Sequence, residues 1–180
     1  MEVSKNSLYI PKIKEIKDWY DKLKEYRYGL EDHETLDTFQ ADMKAGAVIK
    51  KDYGIFYLTN LHDPIGNAYG HCYFWDRRTK GRDQDLQEML EQAITIFMLH
   101  RITVMIPTTN GITARWLQKN GMELEGYLKA YMTYNKQFYD MYIFAYYSKQ
   151  LRKHIDNKID NKGNTISRDR DKKDLVETTG

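Results

Sequence analysis

The sequence predicts an α+β domain (mixed α/β), and three observations carry that expectation. Leu86, Met89, Leu90, Ala93, Ile94 and Phe97 recur at the spacing of one helical face, with Gln87, Glu88, Glu91 and Gln92 facing away. Immediately after, Ile102, Val104 and Ile106 alternate with Thr103 and Met105, the period of a strand. On either side lie short β-type runs separated by turn residues. A change of period of this kind builds a sheet with helices packed on it.

The elements follow in order. From Pro11 to Tyr28, the residues Ile13, Ile16, Tyr20 and Leu23 make one apolar stripe, and Pro11 is tolerated at the helix start. A second helix is expected over Leu36 to Met43, ending near Gly46. Ala47-Val48-Ile49 and Ile55-Phe56-Tyr57-Leu58 read as strands around the turn Lys51 to Gly54. Asp63 to Asn67 reads as the next turn, and Tyr69 to Trp75 as a third strand, giving an antiparallel meander. Asp83 or Asp85 is placed to cap the long helix, and Pro107 ends the strand that follows it. A short helix is expected over Ile112 to Lys119, with Asn110 at its start and the left-handed residue of Asn120-Gly121 at its end. Met122 to Tyr134 and Phe138 to Tyr147 close the order as two strands. The even positions Met122, Leu124, Leu128, Ala130 and Met132 of the first are expected on one buried face.

These elements make one domain, residues 1–150, with helices in 11–45 and a core in 46–148. Residues 151–180 are rich in Lys, Asp, Asn, Arg and Thr and read as a charged, flexible tail, since few apolar groups offset the ordering entropy. A chain of 180 residues suffices for one core. Hydrophobic residues at 41% and charged residues at 30% are those of a globular domain. No apolar run reaches the ~20 residues that span a bilayer. The single Cys72 excludes an internal disulfide and a Cys-rich metal site, so a cytoplasmic setting is expected and no metal. The net charge of +2 argues against nucleic acid as the main partner. Tyrosine, at 15 residues, suits half-buried strands and contact surfaces.

The second half of the chain carries a resemblance. His100-Arg101-Ile102, then Asn110, Ala114 and the run Leu117-Gln118-Lys119-Asn120-Gly121-Met122-Glu123-Leu124-Glu125-Gly126 are similar to a run of the GNAT N-acetyltransferase superfamily. The similarity is greatest to the branch of ribosomal-protein and other N-terminal alanine acetyltransferases. Asp140-Met141-Tyr142 resembles the Asp-x-Tyr that follows there. The resemblance spans about Ile94 to Tyr147; the half before it agrees in element order. It implies the GNAT acyl-CoA N-acyltransferase fold, a mixed, mostly antiparallel central sheet flanked by helices. It also implies acetyl-CoA as co-substrate and a primary amine as acceptor: a protein N-terminus, a lysine or a small molecule.

In that fold the pyrophosphate of CoA rests on backbone amides at the start of the long helix, where the helix dipole and unpaired donors favour an anion. Here the loop is Arg77-Arg78-Thr79-Lys80-Gly81-Arg82-Asp83. Arg78-x-x-Gly81 matches the first half of the family's signature, and Arg77, Lys80 and Arg82 add favourable charge. Asp83 stands where the family has Gly or Ala. A carboxylate about 4 Å from a phosphate costs on the order of 1–4 kcal/mol. Two orientations are open, toward the phosphates or inward as a cap. Phe74 and Trp75 on the strand, and Asn110 and Ala114 around the short helix, complete the implied cofactor contacts.

The implied chemistry needs a deprotonated amine and polarisation of the thioester carbonyl. His71 and Tyr73 share one strand face and Asp76 follows; these are the candidate catalytic groups, set against the reading of His71 as an ordinary strand histidine. Leu117 stands where many members place a tyrosine acid. Cys72, between aromatic neighbours, reads as packing rather than a nucleophile. Glu123 and Glu125 form no evident acid–base pair, and Trp116 is expected in the core. A second function class stays open beside the enzyme. It is a non-catalytic unit of this fold held by protein partners in a larger assembly, such as a phage virion.

Overall fold

The computed structural model describes residues 11–24, 35–61, 65–75, 82–134 and 136–162. Three short strands come first: β1 (Ala47–Lys51), β2 (Gly54–Thr59) and β3 (Asn67–Phe74). They form the expected antiparallel meander, with Val48 opposite Tyr57 and Phe56 opposite Cys72. The long helix α3 (Arg82–Ile96, as numbered in chain order) leads into β4 (Arg101–Pro107). The short helix α4 (Gly111–Lys119) then leads to β5 (Glu123–Tyr134) and β6 (Gln137–Tyr147). Helices α1 (Ile13–Leu23) and α2 (Leu36–Ala45) precede the sheet, and α5 (Lys149–Lys162) follows it.

The six strands lie in the order β1-β2-β3-β4-β6-β5. β3 and β4 run parallel, as the crossover through α3 requires, and the other neighbours are antiparallel. Alternation along each strand sends residues to two layers. Phe56, Leu58, Ile102, Val104, Ile106 and Phe144 pack under Leu86, Met89 and Leu90 of α3 and Ala114 and Leu117 of α4. On the opposite face Val48, Ile55 and Tyr57 meet Ile16, Trp19 and Leu23 of α1 and Phe39 and Met43 of α2. A smaller cluster of Met132, Tyr139 and Met141, joined by Met105 and Leu128, lies on β4–β6–β5.

Several sequence expectations are corrected. Ile13 does not belong to the buried stripe of α1; it is exposed, and Trp19 takes the inward position. Residues 25–28 of the expected first helix and the Asp63-Pro64 part of the expected turn lie outside the described residues. The even positions of β5 do not share one face. The register shift between Leu124 and Gly126 inserts one residue and resets the alternation, whereas that between Leu128 and Met132 inserts two and keeps it. Met122 and Leu124 therefore join the core under α3 and α4, whereas Leu128 and Met132 join the methionine cluster. Residues 149–162 are helical where the sequence suggested flexible chain. The hydroxyl of Ser148 accepts the Leu151 N–H at 3.1 Å and so caps this helix. Residues 163–180 are outside the described set. At the short helix, Asn110 accepts the Thr113 N–H and Gly121 takes φ +85°, as expected.

Candidate active site

The cleft comes from strand pairing. β3 and β4 pair only over Asn67–Arg101, Ala68–Ile102 and Tyr69–Thr103. Past these three positions β3 continues to Phe74 along β2, while β4 continues to Pro107 along β6. Two parallel strands held together at their N-terminal ends and paired outward at their C-terminal ends make a V. Gly70 sits at its apex: a Cβ there would lie 3.0 Å from Ile102 Cγ2 and 3.2 Å from Val104 Cγ2. The Trp75 N–H donates to Tyr53 O at 3.0 Å, so it points to β2. By alternation the N–H of Cys72 points the other way, into the V.

The start of α3 stands at the open end of the V. Asp83 and Asp85 are the second and fourth residues of the helix, inside its first turn and not at its N-cap. Both carboxylates are engaged by cations and hydrogen-bond donors. Asp83 accepts from Trp116 Nε1 at 2.6 Å and from Lys119 Nζ. The Lys119 and Trp116 bonds hold its carboxyl below the usual range. Asp85 accepts from Lys51 Nζ at 2.8 Å and from the Tyr53 hydroxyl. Burial opposes ionisation of Asp85, but these two donors outweigh it and its pKa is lowered. The two charges of the wrong sign are thus offset by Lys119 and Lys51. Of the two orientations open for Asp83, the carboxylate takes neither: it turns sideways to α4.

Trp116 packs against the core under α3 and α4, as expected, but from its margin. It is half-buried, and its ring meets Phe74 edge-on with centroids 5.4 Å apart. Phe74 in turn packs on Tyr53 at 5.7 Å. Sequence reading missed Trp116, Lys119, Lys51 and Tyr53. The available signal was Trp116 and Lys119 three apart on one helix face, two donors aimed together.

His71 and Tyr73 do share a face, the one covered by α1 and α2. The imidazole stacks on Tyr57 at 4.4 Å and 10°, and Tyr73 stacks on the same ring at 5.8 Å. His71 Nε2 lies 3.3 Å from Thr59 Oγ1. Burial pushes the His71 pKa down to about 4, so the ring is neutral near pH 7. Burial pushes the Cys72 thiol up to about 12; it packs against the core under α3 and α4 and supplies no thiolate. The Trp75 ring faces α1, stacked on Trp19 at 6.5 Å with Lys22 Nζ 4.9 Å from its centroid. Asn110 serves as helix cap and Ala114 is fully buried. Arg82 opens α3, while Asp76, Arg77, Arg78, Lys80 and Gly81 lie outside the described residues. Glu125 pairs with Arg101 and Tyr147, and Glu123 with Arg152, so each is held apart from the V. Among the described residues no group of three or more His, Cys, Asp or Glu is placed to hold a metal ion. No helix among them is long and apolar enough to cross a membrane.

No family model and no curated protein sequence matches the chain. Solved structures do. A spermidine N-acetyltransferase of Vibrio cholerae, in complex with CoA and spermine, superposes with a TM-score of 0.64 at 17% identity, over 81% of this chain and 96% of that one. RimJ of Mycobacterium smegmatis, in complex with CoA-disulfide, gives 0.63 at 18% identity, over 87% and 88%. A GNAT-family acetyltransferase of Bacillus anthracis gives 0.61 at 16%, over 79% and 96%. The chain therefore has the GNAT fold: a mixed sheet of six strands, flanked by helices.

Proposed function

We propose that this protein transfers an acetyl group from acetyl-CoA to a primary amine. The observation that carries the reading is the V between β3 and β4, which opens beside the first turn of α3. A thioester lying in such a V meets the inward Cys72 N–H at its carbonyl, where negative charge grows as the amine attacks. The helix start supplies unpaired main-chain donors for the diphosphate. Lys51 and Lys119 keep Asp83 and Asp85 from presenting unbalanced negative charge there. The solved relatives held with CoA share this architecture and support the same donor.

The bond bookkeeping is simple. The amine nitrogen forms a bond to the acyl carbon, the carbon–sulfur bond breaks, and the sulfur leaves as thiolate. The amine gives its proton to solvent or to a nearby base, and the thiolate takes one back. His71, with a pKa of about 4, is too weak a base to remove a proton from an ammonium group efficiently. Its place is beside the amine as a neutral polar wall, with Tyr73, and Asp76 remains the candidate carboxylate. The acceptor is an amine of a protein N-terminus, a lysine or a small molecule.

Titration calorimetry with acetyl-CoA tests the donor. Thiol release with three acceptor sets tests the reaction: peptides with open N-termini, N-blocked lysine peptides, and polyamines. Saturable binding and release with one set is the expected outcome. No binding at millimolar acetyl-CoA would sink the reading and leave a non-catalytic unit of this fold.

A further inference from the structure

The two arms of the V are joined across their open end. α3 follows the outer end of β3, and α4 follows the outer end of β4. Trp116 belongs to the β4 arm, yet its indole N–H bonds Asp83 of α3 at 2.6 Å and its ring meets Phe74, the last residue of β3. One side chain thus spans from the second arm to both elements of the first. Lys119, three residues on and on the same face, grips the other oxygen of Asp83. The bridge is held by two donors on one carboxylate, by an aromatic edge contact and by packing of the indole on the margin of the core, but it is not fully buried there. Trp116 is half-buried, and the side chains of Lys119 and Asp83 are 71% and 44% exposed. Such a contact opens without unfolding its neighbours.

We infer that Trp116 is a gate across the donor cleft, latched by Asp83. The inference rests on the acetyl-CoA reading above and adds how the donor enters. The pantetheine arm has to pass between α3 and α4 to reach the V, which is the space the indole crosses. Entry breaks the indole–carboxylate bond and swings the ring off Phe74. The position that carries Gly or Ala in the resembling family here carries the latch. Asp83 is a positioning residue, and its function is to hold Trp116.

A gate closed in the free chain lowers the fraction of molecules competent to bind, and so slows association. Trp116→Phe changes no charge, keeps an aromatic edge toward Phe74 and deletes the N–H. Rapid-mixing kinetics of CoA binding to the full chain are expected to show association roughly tenfold faster in this variant, with dissociation unchanged. Phe74→Leu, which loosens the other hold on the ring, is expected to shift association in the same direction. A further measurement needs no variant. In the free wild-type chain the Trp116 indole N–H is expected to be protected from hydrogen exchange, and to lose that protection when CoA is added. If wild type binds CoA while Trp116→Phe associates at the same rate, or only dissociates faster, Trp116 is a fixed wall and the gate is wrong. If neither chain binds CoA at millimolar concentration, the donor reading itself fails.

Discussion

His71 shows how one strand position sets a pH response. Stacking on Tyr57 and burial favour the neutral ring, and its pKa falls from 6.5 to about 4. The unfolded chain therefore binds more protons than the folded one between these values. Stability from this residue is present above pH 6.5 and is lost as the pH falls toward 4, by about 2 kcal/mol between pH 7 and pH 5. His71→Phe keeps a ring against Tyr57 and removes the titration. The difference in unfolding free energy from urea titration between pH 7 and pH 5 is expected to shrink by that amount relative to wild type; an unchanged difference would show that His71 is not the group responsible. In catalysis, kcat/KM is expected to lack an inflection near 6.5 and to follow ionisation of the acceptor amine instead. Gly70 is the second residue with a sharp consequence. A methyl group at the apex of the V would press on Ile102, Val104 and Phe56. Gly70→Ala is expected to cost about 1–3 kcal/mol in chemical denaturation, because the β-branched neighbours have little room to yield.

Among the elements, β5 shows where pattern reading stops. Its alternating residues read as one continuous face, but the shift at Leu124–Gly126 adds one residue and turns the following side chains over, while the shift at Leu128–Met132 adds two and leaves both on the same face. Gly126 marks the first shift, but nothing in the residues around the second announces it, and the non-glycine Ala130 sits at φ 47°. The reason lies on the neighbouring strand. Asp140 accepts the Ala130 N–H at 2.7 Å and the Tyr127 hydroxyl, so a carboxylate of β6 pins the irregular stretch. Asp140 was legible as part of the Asp-x-Tyr resemblance, but its use required the register. Asp140→Ala is expected to raise the exchange rate of the Ala130 amide on the order of tenfold, while the amides of β4 stay protected. Uniform loss of protection across the sheet would show instead that Asp140 stabilises the domain as a whole. The start of α3 was legible only in part. The acids Asp83 and Asp85 were visible, but Lys119 and Lys51, which offset them, come from distant segments.

For the whole molecule, local periodicity determined the architecture and long-range partners determined the site. The meander, the long helix and the final hairpin could be read because each has a strong period of its own. The bridge of Trp116 could not, since it joins three elements that only the fold brings together. The helix over residues 149–162 is the remaining difference from the sequence reading, and it has a traceable cause. Leu151, Ile155 and Ile159 recur every four residues, a narrow stripe hidden among charges that average out in composition. Helix α5 lies on β6 with Leu151 and Ile155 partly buried, and Arg152 adds a pairing with Glu123 and a cation contact 4.9 Å from the Tyr147 ring. Cutting the chain after Ser148 removes these contacts and uncovers the edge of the polar group formed by Arg101, Glu125 and Tyr147. The loss is on the order of 1–2 kcal/mol for a half-exposed helix, which lowers Tm by about 3–6 °C in a chain of this size. Arg152→Ala is expected to reproduce part of that drop, and Lys153→Ala, on the exposed side of the helix, none. A truncated chain that melts with wild type would show that the contacts of residues 149–162 add nothing to the stability of the sheet they lie on.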